Sequence, residues 1–171
     1  GKEIPFFICP FKIEKRVQME EEVVKPLTNQ LINRGIRILS IDLYDLSVEI
    51  LQKRGVWEQV IKAEADLSKS EYKEMLQGML DPEHDLIPSI GEKMGQDGFE
   101  VLFITGVGEV FPYIRSHTVL NNLQKIAKEK PTIMFFPGEY SQSAEKGSSL
   151  NLFGKLLDDN YYRAFNIYKH F

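Results

Sequence analysis

Four short, densely apolar runs constrain this chain most: "IPFFICPF" (4–11), "IRILSIDLYD" (36–45), "FEVLFITG" (99–106) and "PTIMFFPG" (131–138). Each has strand length and is bounded by turn residues. Apolar residues at nearly successive positions mark strands covered on both faces. Segments with helical spacing separate the runs. In "IEKRVQMEEEVVKPLTNQLINRG" (13–35), Val17, Val24, Leu27 and Leu31 fall on one side, and Gly35 is a stop signal. Pro26, inside that pattern, lacks an amide donor and predicts a kink or a division of the helix. Strands alternating with helices predict a parallel sheet with helices on both faces.

The remainder fills in the topology. Between 46 and 98 the segments "SVEILQKRG", "VWEQVIKAEA", "KSEYKEMLQGML" and "HDLIPSIGEKMG" read as short helices, broken at Gly55, 66–68 and 81–82. That is long for one crossover and predicts a helical insertion. A further helix is expected to start near Phe111 or Pro112, since proline suits the first helical position. "SQSAEKGSS" (141–149) reads as a mobile loop, "SLNLFGKLL" (149–157) as a short helix and "YYRAFNIYKH" (161–170) as the last strand. The expected fold class is therefore α/β. It has a mostly parallel sheet of about five strands, Rossmann-like or P-loop-like without a P-loop, and a helical insertion over about 46–98. At 171 residues the chain fits a single domain spanning 1–171.

Open parallel sheets bind ligands at the carboxyl ends of their strands. There the sequence places "CPFK", "DLYD", "GVGE" and "FPGEY", so one rim collects the candidate residues. A phosphate site would need a glycine-rich turn after the first strand, but "CPFKIEKR" contains no glycine and "GVG" is too short for a dinucleotide fingerprint. No cofactor is expected. Asp42, Asp45, Glu109 and Glu139 form an acidic set at the strand ends, without a local metal-ligand pattern. Cys9 reads as a small buried hydrophobe. Ser148 and Ser149 lack a nucleophile elbow, so no catalytic residue is assigned.

The stretch "GVGEVFPYIRSHTVLNNL" (106–123) crowds polar groups where a strand hands over to a helix. An arginine in a first helical turn faces the positive end of the helix dipole, so Glu109 is the expected partner of Arg115. A structural ion pair and a site for a partner's carboxylate are both compatible with that arrangement. His117 is expected to hydrogen-bond, and Asn121 and Asn122 to tie neighbouring loops. Together with Glu139 and Arg163 these make the candidate interaction or structural polar site. Most C-terminal aromatics belong in the core. Any left exposed among Phe111, Tyr113, Tyr140, Tyr161 and Tyr162 would suit a protein interface.

Charge and cysteine usage limit the partners. The net charge is −4, with basic residues spread among acidic ones, which disfavours direct nucleic-acid binding by this chain alone. One cysteine forms no internal disulfide and points to a reducing, cytoplasmic setting. The apolar runs are far shorter than a membrane span. Gly1 in place of Met predicts a processed or engineered start.

The wording of several segments is itself informative. "PFFICPF", "ILQKRGVWE", "LQGMLDPE", "GVGEVFPYIRSHTVLNNLQ", "PTIMFFPGEY", "SLNLFGKL" and "DDNYYRAFNI" resemble the BrxB family of the bacterial phage-defence systems called BREX. The resemblance covers nearly the whole chain. Family members usually carry a further N-terminal helical segment, which is not expected in this chain. The resemblance implies a cytoplasmic subunit working with larger BREX proteins: PglZ, which is alkaline-phosphatase-like, then the BrxC ATPase and the PglX DNA methyltransferase. It carries no established catalytic activity. The expected function is a non-catalytic adaptor that docks PglZ. Alternatives are a degenerate nucleotide-binding or metal-dependent enzyme at the strand ends, and an auxiliary DNA-contacting subunit.

Overall fold

The computed structural model describes residues 6–96, 98–127, 129–143, 147–152, 156–159 and 164–170. Strand β1, Phe6–Phe11, opens the described chain. A 3₁₀ turn, Ile13–Lys15, leads into α1, Arg16–Met19, then a π turn, Glu20–Val24, and α2, Lys25–Asn33. The division predicted from Pro26 is present as that π turn. Proline has no N–H for an i−4 carbonyl, so the turn before it widens rather than continuing the regular ladder.

Strand β2, Ile38–Asp42, passes directly into α3, Leu43–Lys53. Asp42 Oδ1 accepts from the amides of Tyr44 at 2.8 Å and Asp45 at 3.1 Å, so strand end and helix cap are one residue. Helices α4 (Trp57–Asp66), α5 (Lys69–Met79) and α6 (Ile87–Gln96) complete the insertion. Ser68 and Glu71 close a reciprocal capping box at the start of α5. Asp81 caps the π turn Pro82–Leu86 before α6. Arg54 locks these helices together, donating to the Met79 carbonyl at 2.8 Å and pairing with Asp85 at 3.2 Å.

Strand β3 is Val101–Thr105, α7 is Ser116–Ile126 and β4 is Thr132–Ser143. The chain ends with β5 (Gly147–Leu152), β6 (Leu156–Asp159), β7 (Ala164–Asn166) and α8 (Ile167–His170). The sheet order is β2-β3-β4-β1-β7, and every neighbouring pair on that path is parallel. Four strands make the body of the sheet, and the three-residue β7 adds a short fifth at the β1 edge. Pro10 is tolerated in β1 because β7 pairs only with Phe6, Phe7 and Ile8, leaving Pro10 beyond the doubly bonded part.

Alternation along the strands divides the core. Ile8, Ile41, Leu102, Ile104, Met134 and Phe136 join the insertion helices and α7 in the larger cluster. Cys9, Phe103 and Phe135 pack on the opposite face beneath Val24, with Met19, Leu27, Leu31 and Ile167 partly covering them. The step from β1 to β2 runs opposite to the steps from β2 to β3 and β3 to β4. Right-handed crossovers therefore put α1–α2 and the insertion on opposite faces.

Two expectations near the carboxyl terminus are corrected. Residues 147–152 and 156–159 form antiparallel strands, not a helix over 149–157, and residues 141–143 and 147–149 are strand rather than loop. The cause is non-local. Strand β4 runs past the parallel sheet, and its last part, Gly138 to Ser143, offers open hydrogen-bonding groups that β5 takes up. Of the predicted last strand, 164–166 form β7 and 167–170 form α8, while 161–163 lie outside the described residues.

Candidate functional site

The strand ends converge as the fold class requires. Phe11 ends β1, Asp42 ends β2, Thr105 and Gly106 end β3, and Pro137 lies in β4 opposite Phe11. These residues line a cleft of about 500 Å³. Its floor is apolar, from Phe11, Phe135 and Pro137. One wall is the start of the broken helix, with Ile13, Arg16, Val17, Met19, Glu20, Glu21 and Val24; the other is the turn 106–109.

Gly106 makes the second wall possible. Its φ is +75°, a left-handed conformation open to glycine. The turn then passes so close to the end of β2 that a side chain would strike Asp42. The 3₁₀ turn Gly108–Val110 follows and aims Glu109 across the cleft mouth. There Arg16 Nη1 meets Glu109 Oε1 at 2.9 Å, with the two side chains 55% and 37% exposed.

This ion pair corrects the sequence reading, which assigned Arg115 to Glu109. The amides of Tyr113 and Ile114 both donate to the Val110 carbonyl, at 2.8 and 3.0 Å. That closed turn draws Val107, Val110 and Ile114 into the core and delays the helix to Ser116. Arg115 becomes the exposed N-cap residue of α7, while Glu109 points towards the wall built from the chain after β1. Pro112 consequently sits in the turn, not at the first helical position, and its carbonyl accepts from Gln77 Nε2 at 3.0 Å. Tyr113 meets Tyr72 edge-on, with centroids 5.9 Å apart, so the insertion grips the outer side of this turn.

The other candidates are dispersed. His117 Nε2 lies 3.1 Å from the Thr118 hydroxyl. Asn122 donates to the Thr118 carbonyl at 2.8 Å and accepts from Lys125 at 3.3 Å, so it serves its own helix rather than a neighbouring loop; Asn121 is exposed. Glu139 is exposed, Tyr140 is buried in the larger cluster, and Phe111 is at the surface. Arg163, Tyr161 and Tyr162 lie outside the described residues.

A second groove, of about 510 Å³, runs along β2 and shares Glu20, Asp42 and Thr105 with the first. It adds Asp45, Glu49 and Lys93. Lys93 and Lys53 hold the Glu49 carboxyl below its ordinary range through hydrogen bonds. Across the two grooves six carboxylates face two cations, Arg16 and Lys93. Among the described residues no group of three or more His, Cys, Asp or Glu side chains gathers closely enough to hold a metal ion. Among them, too, no helix is long and apolar enough to cross a membrane.

Reading the sequence did not place Arg16, Val17, Glu20 and Glu21 in the site, because helical periodicity sets Val17 with Val24, Leu27 and Leu31 on the apolar side and leaves the charged residues to the outer surface of a scaffold helix. The structure corrects that placement for Val17, which it leaves 65% exposed at the lip of the cleft.

Comparison with known proteins supplies relatives for this chain. The family model described as "BREX protein BrxB" matches residues 39–167. A BREX protein BrxB from Bacillus cereus (strain H3081.97) is 36% identical, over 98% of this chain and 85% of the relative. One from Escherichia coli O9:H4 (strain HS) is 26% identical, over 98% of this chain and 80% of the relative. No solved structure matches.

Proposed function

The chain belongs to the BrxB family of BREX proteins, and from that premise we propose that it is a non-catalytic adaptor of the phage-defence complex. In this reading it acts in the cytoplasm, docks PglZ and helps couple PglZ to the BrxC ATPase and the PglX methyltransferase. The observation that carries the proposal is the chemistry of the strand-end cleft. Where a nucleotide-binding sheet presents backbone amides from a glycine-rich turn, this chain presents Pro10, Phe11 and a 3₁₀ turn. Glu20 and Asp42 carry charge of the same sign as a phosphate's at the opening, while Glu109 and Glu21 are met by Arg16 and Lys25. Apolar side chains with a charged margin suit protein recognition.

Co-expression of the full chain with each BREX subunit tests the proposal. The expected result is stable co-purification with PglZ. A folded chain that retains no BREX subunit overturns it.

One observation favours a second reading, a degenerate enzyme at the strand ends: a cleft of about 500 Å³ is the size of a small-molecule site. That reading predicts a thermal shift with a nucleotide, Mg²⁺ or both. No shift across such a panel removes it.

A further inference from the structure

We infer that the strand-end cleft is the receptor for a basic, amphipathic segment of the partner subunit, which sets an apolar side chain on the floor and lysines or arginines on the rim. The inference rests on the adaptor reading and specifies its contact.

Three observations carry it. First, the floor is apolar and incompletely covered. Phe135 and Val24 are buried, but Phe11 and Met19 are only partly so, and Val17 stands at the lip 65% exposed. An apolar side chain entering there gains burial without opening the core. Second, the rim is acidic after its own pairing is counted. Arg16 is engaged by Glu109 at 2.9 Å, and Glu21 takes Lys25 at 2.6 Å; that leaves, without a cation in an ion pair among the described residues, Glu20 on the shared wall, Asp42, whose Oδ1 also caps α3, and Asp45 beyond it. Third, these carboxylates do not converge on a point, since among the described residues none form a metal-binding group. Charges spaced along an edge match cations spaced along a polypeptide better than one bound ion, and the same charges repel nucleic-acid phosphates.

The mode of recognition follows from the shape. The second groove continues the acidic edge along β2, so a bound segment has room to run from the Arg16–Glu109 pair towards Glu49. A partner arginine at the mouth would compete with Arg16 for Glu109, because a guanidinium binds a carboxylate in a planar fork.

The test uses the full chain and PglZ, with affinity measured by calorimetry at low and high salt. The variants are Val17→Glu, the pair Glu20→Lys with Glu21→Lys, and Ile61→Glu as a control on α4, where Ile61 is 52% exposed. All lie at exposed positions, and circular dichroism with thermal melting verifies folding. The inference expects each cleft variant to weaken binding at least about tenfold, the loss typical of a central contact, with the control close to wild type. It also expects wild-type affinity to fall as salt rises. If wild type binds PglZ and the cleft variants bind equally well, the cleft inference fails and the adaptor reading stands. If wild type binds no BREX subunit, both fail. If the same variants instead abolish self-association of the wild-type chain, the occupant is a second copy and the inference is overturned.

Discussion

Asp42 Oδ1 occupies the space that a β-carbon on Gly106 would need, for the two atoms would stand 2.5 Å apart. The backbone amide of Leu43 would lie at 3.0 Å from the same carbon. The ends of β2 and β3 are thus fitted to each other through one carboxylate and one missing side chain. Gly106→Ala should cost about 2–3 kcal/mol, from the left-handed backbone and the displaced cap of α3. Asp42→Ala should cost about 1 kcal/mol through the lost cap. Because the first substitution already disturbs the second residue, the double variant should lose less than the sum of the two. Denaturant unfolding of all four proteins measures this coupling, and strict additivity would refute it.

The Arg16–Glu109 pair joins residues 93 positions apart, yet its energetic contribution is expected to be small. Both side chains are substantially exposed, and such pairs contribute about 0–1 kcal/mol. Arg16→Ala and Glu109→Gln should each shift stability by no more than that. A loss on the scale of a core substitution would mean that the pair, rather than the packing of Val107, Val110 and Ile114, holds the turn in place.

Phe103 anchors the thinner face of the sheet. It is fully buried and meets Phe135 edge-on at 5.2 Å. Phe103→Ala should cost about 3–5 kcal/mol, and Phe103→Leu clearly less, because leucine refills part of the cavity. Urea unfolding midpoints at constant slope provide the comparison.

Asp81 and His84 predict a pH window. The backbone N–H of His84, then its ring, hold the Asp81 carboxyl below its ordinary value of 3.8. Hydrogen bonding to Asp81 raises the His84 ring above its ordinary 6.5. The carboxylate's contribution is present above its ordinary value and is lost as pH falls through the lowered one. The imidazolium's contribution is complete below its ordinary value and is lost as pH rises through the raised one. The charge pairing is therefore strongest between those two ordinary values. Asp81→Asn keeps the helix cap and removes the charge. Its deficit in unfolding midpoint should be largest near pH 5 and shrink above the raised histidine value. A deficit independent of pH would show that only the cap matters.

Cys9 should resist alkylation in the native protein. Burial pushes its thiol up, although the Tyr168 hydroxyl at 3.5 Å pulls the other way. Burial also pushes Tyr168 up to about 12. Iodoacetamide at neutral pH should label Cys9 far more slowly in the folded state than in denaturant, because the thiolate is the reactive form. Equal rates would contradict the burial of β1.

What the sequence determined alone was the set of elements whose signals are local. The apolar runs gave β1 to β3 and the parallel part of β4, because a strand covered on both faces must be apolar at successive positions. Gly55, 66–68 and 81–82 marked the breaks between the insertion helices through turn chemistry that acts within a few residues. The convergence of Phe11, Asp42, Gly106 and Pro137 was also legible, since parallel strands put all their carboxyl ends on one rim. Tertiary structure alone decided what that rim contains. It chose Arg16 over Arg115 for Glu109, because burying Val110 and Ile114 fixed the direction of the turn. It made 147–152 a strand, because β4 supplied an unpaired edge. Both outcomes depend on contacts between residues far apart in the chain, which periodicity, propensity and spacing do not encode.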